Sequence, residues 1–227
     1  MTSENKARLQ SPEMIRLNEA VTAVNVESLM PSDWQRQILD VAEIHGKLVE
    51  FEGGKVSTSR ENPDFTTIYK VVKGIDFRTQ LPWLGELYRG IFRELVSRFA
   101  GEEVVVDPDK RFGANINQLI RGMGDGYERH IDVNDHTGSL VVSTIPKVDW
   151  GEFFIMLPNG TKKEVEMKAG WLLIFNGNKH VHGVNKLNPY GGSATRTTVL
   201  LDYVKPGSKV ERPSDMEAIF GNGNGGK

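Results

Sequence analysis

From Val104 to Val204 the chain alternates short β-type runs with clusters of turn residues, and no other feature limits its fold so tightly. The runs cover 104–106, 114–121, 127–132, 140–145, 152–157, 164–168, 171–175 and 197–204. Between them stand Gly122-Met123-Gly124-Asp125-Gly126, Pro158-Asn159-Gly160 and Asn188-Pro189-Tyr190-Gly191-Gly192. Glycine supplies positive φ, proline presets φ, and asparagine and aspartate bond the backbone nearby, so these clusters read as turns. Strands at this spacing with few helices between them form an antiparallel sandwich or barrel.

The first hundred residues carry helical signals instead. Pro31-Ser32-Asp33 precedes Trp34, Ile38, Val41 and Ala42, which predicts a capped helix with one apolar face. Pro82 opens a longer helix in which Leu84, Leu87, Ile91, Leu95 and Phe99 recur every three or four residues, ending at Ala100-Gly101. The expected fold class is α+β: a double-stranded β-helix (jelly-roll, cupin-like) core with N-terminal supporting helices. Residues 1–14 and 221–227 are polar or Gly/Asn-rich and read as tails around one domain at 15–220, with helical support over about 15–101 and the jelly roll over about 102–206.

Composition narrows the function classes. With no cysteine, the chain cannot hold a disulfide framework, a thiolate nucleophile or a Cys-ligated zinc or iron–sulfur site. Lys+Arg 28 against Asp+Glu 30 leaves a formal charge of −2, with no electrostatic attraction to nucleic acid. No apolar run approaches the ~20 residues of a membrane span. The polar opening residues lack a signal-peptide core. A cytoplasmic enzyme or binding protein acting on a small molecule is expected, and nothing in the sequence speaks to oligomeric state.

Four of the five histidines, His130, His136, His180 and His182, lie in the β-rich half, with His45 in the helical part. On a strand, residues i and i+2 share a face, so His130-Ile131-Asp132 aims an imidazole and a carboxylate at one point. Fifty residues beyond Asp132, the apolar run 171–175 leads to His180-Val181-His182 and a second histidine for the same mouth. Two histidines and a carboxylate on one face are the ligand set of non-haem Fe(II) oxygenases. An isolated His-x-Asp is more often an ion pair, and a cupin-type metal site or a sugar-binding sandwich could carry the same residues. Arg196, fourteen residues after His182, opens an otherwise apolar strand. A guanidinium in a β core is costly unless it meets an anion, and its planar fork suits a carboxylate. Thr198 shares its face and offers a hydroxyl.

The ordered set His130-x-Asp132, His182, Arg196-x-Thr198 resembles the iron(II)- and 2-oxoglutarate-dependent oxygenases. Tyr127–Asp132 followed by Thr137–Val142 looks most like the prolyl-hydroxylase-like branch and the small bacterial amino-acid hydroxylases. Gly151-Glu152-Phe153-Phe154 and Ala169–Phe175 are similar to that branch's "GGEL" and "GxLvlF" strands. The likeness spans about residues 113–204.

It implies that His130, Asp132 and His182 hold Fe(II), and that Arg196 and Thr198 bind the distal carboxylate of 2-oxoglutarate, O2 being the other cosubstrate. His180 competes for the second histidine role, but His182-Gly183-Val184 fits the family pattern better. Retention of Asp132 argues against a halogenase. Asn117 is assigned to the cosubstrate, Arg121 to an anionic part of the substrate, and His136 to a rim contact with it. The implied reaction is hydroxylation of a C–H bond of a small molecule, best an amino acid or amino-acid derivative, with release of succinate and CO2. The rivals are a non-redox metal-binding cupin-like module and the same chemistry on a protein or nucleobase.

Overall fold

The computed structural model describes residues 12–52, 66–123, 126–192 and 195–210. The tail at 221–227 and most of the one at 1–14 lie outside them.

The chain opens with a hairpin, β1 (Met14–Arg16) and β2 (Val21–Asn25), followed by helix α1 (Trp34–His45). A second hairpin follows, β3 (Lys47–Glu52) and β4 (Thr66–Val72), then α2 (Gly74–Gln80), α3 (Pro82–Leu87) and α4 (Arg93–Ala100). The remaining strands are β5 (Val105–Val106), β6 (Ala114–Ile120), β7 (Tyr127–His130), β8 (His136–Val141), β9 (Phe153–Met156), β10 (Lys162–Val165), β11 (Trp171–Phe175), β12 (His182–Val184) and β13 (Thr195–Val204). Among the described residues these strands make two sheets, paired antiparallel throughout. The larger runs β1-β2-β11-β8-β13-β6-β4-β3, with β5 beside β13, and the smaller runs β10-β9-β12-β7. None of the described helices is long and apolar enough to cross a membrane.

Period-two alternation sorts the central strands between two layers. Leu140 of β8, Leu172 and Ile174 of β11, and Val199, Leu201 and Tyr203 of β13 join α1, α3 and α4 in one apolar cluster. Their neighbours Val141, Leu173 and Phe175 join Phe153 and Ile155 of β9 in a second cluster, between the sheets. Strands covered on both faces read as continuous apolar runs. That is why Trp171-Leu172-Leu173-Ile174-Phe175 shows no alternation.

The helical predictions hold in place and differ in detail. α1 buries Trp34, Ile38, Val41 and Ala42, as its spacing requires. Asp33, however, spends its carboxylate on the side chains of Arg36 (2.9 Å) and Gln37 (2.7 Å), not on the first helical N–H groups. The long helix ends as expected, with Gly101 left-handed at φ 71° and its N–H on the Ser97 carbonyl. It is interrupted by a π-type turn at Tyr88–Phe92, where Gly90 leaves helical geometry. A π turn inserts an extra residue and so rotates the later turns of the helix about its axis. Tyr88, Phe92 and Val96 are therefore fully buried with Leu84 and Leu95, while Leu87, Ile91 and Phe99 pack at the margin.

The N-terminal third is not helical support alone. Its two hairpins extend both edges of the larger sheet, β2 pairing β11 and β4 pairing β6. Met14, expected in the tail, pairs with Val24. All eight β-type runs after Gly101 become strands, but the three-residue β12 has no periodicity to betray it.

Gly183 in β12 is held tightly. A Cβ there would meet Phe154 Cζ and the Tyr127 carbonyl oxygen at 2.7 Å each. Overpacking of this kind costs about 1–3 kcal/mol. Gly183→Ala should lower the melting temperature by roughly 2–12 °C, at ~2–4 °C per kcal/mol for a chain of this size. An unchanged melting curve would contradict the contact.

Candidate metal centre

His130 is the last residue of β7, Asp132 lies two residues beyond it, and His182 opens β12. Register sets His182 directly opposite His130, so that residues far apart in the chain become one cross-strand pair. Each Nε2 lies 3.4 Å from Asp132 Oδ1, and the three ligand atoms fall within 4.8 Å of one another. His130 Nδ1 meets the Glu128 carbonyl at 2.8 Å, and His182 Nδ1 meets the His180 carbonyl at 2.9 Å. A carbonyl only accepts, so both Nδ1 atoms carry hydrogen and each Nε2 is the atom turned to the centre, where it bonds Asp132 when protonated and is free to ligate a metal when not. Two imidazole nitrogens and one carboxylate oxygen on one side fit a divalent transition metal with open positions opposite.

Burial disfavours charge on all three groups. For Asp132 it is outweighed by the His182 imidazole and by hydrogen bonds from both rings, which hold the carboxyl well below the usual range. His182, likewise buried, is nonetheless pushed up by Asp132. His130 is pulled down by burial and by its neighbour His182.

A cavity of about 150 Å³ adjoins the triad, walled by the inner faces of β6, β8 and β13. Alternation along β13 turns Arg196, Thr198, Leu200 and Asp202 into it, and Asn115, Asn117 and Leu119 of β6 lie opposite. Arg196 is 5% exposed, and among the described residues its Nε has no hydrogen-bond partner while its Nη2 meets the Met167 sulfur at 3.9 Å. Burial alone pulls its pKa down to about 10. Thr198 sits across from Asn117, and the buried Oδ1 atoms of Asn115 and Asn117 find no partner among the described residues. The guanidinium calls for an anion, and the two amide oxygens, which only accept, call for a donor such as a water or hydroxyl in the same cavity.

No protein-family model matches the chain, and no curated protein sequence matches it. Solved structures do. A 2OG-Fe(II) oxygenase family oxidoreductase from Burkholderia pseudomallei superposes with TM-score 0.64 at 12% identity, over 87% of this chain and 97% of the other. The epimerase SnoN from nogalamycin biosynthesis, solved with Fe3+, alpha ketoglutarate and nogalamycin RO, gives 0.61 at 12%, over 90% and 87%. A Trichoplax adhaerens prolyl hydroxylase, solved with a hypoxia inducible factor peptide, gives 0.59 at 14%, over 84% and 88%. The fold is that of the 2OG-Fe(II) oxygenases.

Within this oxygenase fold the sequence-predicted residues divide. His130, Asp132, His182, Asn117, Arg196 and Thr198 line one cavity. His180 is not in the cluster: it lies in a turn, outside any strand, and contributes only its carbonyl to His182.

Arg121, assigned to an anionic part of the substrate, does not line the cavity. β6 ends at Ile120 and the chain leaves the sheet at Gly122, φ 79°, so the alternation that placed 115, 117 and 119 inward stops one residue short. His136, assigned to the rim, starts β8 and faces the opposite way. It is 3% exposed, edge-on to Phe99 of α4, while Thr137 beside it turns inward. The aromatic wall of Tyr69, Phe112 and Tyr127 was not foreseen; Tyr69 comes from the unpredicted hairpin β3–β4.

Arg196 generates a test that needs no ligand. Burial pulls its pKa down to about 10 on folding, a cost of about 3 kcal/mol at ~1.36 kcal/mol per unit. The folded state disfavours the charged form, so the cost is fully present below pH ~10 and shrinks to nothing as pH rises from there to the higher unfolded value. Arg196→Met should therefore stabilise the ligand-free protein at pH 7 by up to about 3 kcal/mol in urea unfolding. A destabilised variant would mean that the guanidinium serves the core.

Proposed function

We propose that this chain is an Fe(II)- and 2-oxoglutarate-dependent dioxygenase that hydroxylates a C–H bond of a small molecule. The observation that carries the reading is Arg196: a buried guanidinium without a carboxylate partner among the described residues, facing the cavity that also holds the His130–Asp132–His182 cluster. A non-redox cupin-like module has no use for that charge. The facing sheets support a double-stranded β-helix, and we take 15–220 as one oxygenase domain.

In this reading His130, Asp132 and His182 hold iron. Arg196 makes a two-pronged bond to the distal carboxylate of 2-oxoglutarate, Thr198 adds its hydroxyl, and Asn117 steadies the keto-acid end. Bound iron supplies the redox chemistry in which O2 is consumed, one oxygen atom entering the substrate as hydroxyl and the other leaving in succinate as CO2 is lost. The chain's own part is orientation and exclusion of water. Phe153 and Phe175 pack on the His182 ring, at 5.8 and 4.9 Å, and Tyr127 packs on His130 at 4.7 Å. Apolar cover of this kind keeps bulk solvent from the reacting face.

The cavity also bears on the substrate. Arg196 is its sole Arg or Lys among the described lining residues, and Tyr69, Phe112, Tyr127 and Leu119 give part of its wall an apolar surface. With Arg196 committed to the cosubstrate, a free amino-acid carboxylate has no cation left to meet. An amino-acid derivative with its carboxylate masked suits the lining better than the free acid. Succinate release should accordingly be stimulated more by amides and esters of amino acids than by the free acids; the reverse order would count against this choice.

The decisive measurement is 2-oxoglutarate titration under anaerobic Fe(II), followed by metal-to-ligand charge-transfer absorbance. Loss of one partner in a buried charged pair costs ~2–5 kcal/mol. Arg196→Ala should thus weaken cosubstrate binding by about thirty-fold to several thousand-fold while iron affinity holds. Arg196→Lys should recover part of the loss, since a point charge lacks the fork. Thr198→Val should lose about fivefold, from ~1 kcal/mol for one hydrogen bond. A parent protein that binds iron but no 2-oxoglutarate would be a cupin-like module.

A further inference from the structure

We infer that Thr137 and Asn134 form a positioning relay that fixes how Asp132 presents itself to the metal. The inference rests on the iron-site reading above. Asn134 and Thr137 are 3% and 2% exposed, and neither belongs to the ligand set.

The direction of the relay is set by which atoms can donate. Asn134 Nδ2 lies 2.7 Å from the His136 carbonyl oxygen, which only accepts, so that end of the amide is the NH2 group. The same NH2 lies 2.9 Å from Thr137 Oγ1 and donates its second hydrogen there. The threonine hydroxyl has one proton of its own. With a lone pair engaged by Asn134, that proton points to Asp132 Oδ2, at 2.5 Å. Each donor in the series is thus oriented by the one before it.

The effect falls on one carboxylate oxygen. Oδ2 is bonded to Thr137 and walled on another side by Gly177, where a Cβ would collide with it. The Asp132 N–H is also anchored to the Gly177 carbonyl at 2.9 Å. Oδ1 alone is left facing the two imidazoles, at 3.4 Å from each Nε2. The relay holds Asp132 as a one-oxygen ligand and keeps its second oxygen from occupying a position the cosubstrates need. The fold supplies this by placing Thr137 inward at the second residue of β8, five residues after Asp132.

Thr137→Ser and Thr137→Ala both delete the methyl group and differ in one oxygen, so their comparison isolates the hydrogen bond from packing. Partners of metal ligands are typically worth 10–100-fold in metal affinity. In Co(II) titration of the full chain without 2-oxoglutarate, Thr137→Ala should lose about 10–100-fold, with an altered visible d–d spectrum. Thr137→Ser should stay within about threefold of the parent and keep its spectrum, as a conserved hydroxyl requires. Asn134→Ala should lose less, and the double variant Asn134→Ala/Thr137→Ala should be no worse than Thr137→Ala, because the amide acts only through the hydroxyl. Equal affinities and spectra for the Ser and Ala variants, or additive losses in the double variant, would overturn the relay. A parent chain that binds no Co(II) or Fe(II) would overturn the metal-site reading itself.

Discussion

The pairing of β12 with β7 is the contact on which the rest of the site depends. It sets His182 across from His130, and it is held by apolar packing on either side of a three-residue strand too short to be stable alone. β9 pairs the other edge of β12, with Ile155 opposite His182. Gly183 lets the strands close, because a side chain there would strike Phe154 and the β7 backbone. Asp132 is brought to the same point by its tie to Gly177, in the turn that leads toward β12. One short strand and the turn before it therefore bring the three ligand atoms together.

Behind it, the interior of the sandwich is polar where an apolar core would be more stable. The same strands β6, β8 and β13 that bury Ile116, Leu140 and Val199 toward the helices present Asn117, Ser139 and Thr198 toward the cavity. Arg196 charged and two amide oxygens unbonded oppose folding, and the cluster of helices and sheet on the far side must offset them. Such a division, with stability on one face of a sheet and chemistry on the other, leaves the cavity side free to carry groups that only a ligand satisfies.

Much of this is legible in the residues. The run 171–175 and the turn clusters announce strands because β-branched and aromatic residues alternate with turn formers, and His130-x-Asp132 is a shared-face pair in any strand. Arg196 stands out since guanidinium in an apolar run needs an explanation. Failures occur where one residue of register decides. His136 and Thr137 are adjacent, and the start of β8 alone determines that the histidine faces Phe99 while the threonine reaches Asp132. Arg121 fails by the same margin, since β6 ends at Ile120. The hairpins β1–β2 and β3–β4 are hidden for another reason: their place at the sheet edges is set by pairing with strands far along the chain.

The sequence by itself determined the α+β character, the β-rich half and the identity of the residues able to bind a metal and an anion, because these depend on local spacing and side-chain chemistry. Tertiary structure brought His182 and not His180 beside His130 and Asp132, left His136 and Arg121 out of the cavity, and put Thr137, Asn134 and Tyr69 in its wall. Those choices turn on cross-strand register and on where each strand stops. Both are fixed by long-range backbone pairing and by the packing of two sheets and a helical layer, which no window of neighbouring residues contains.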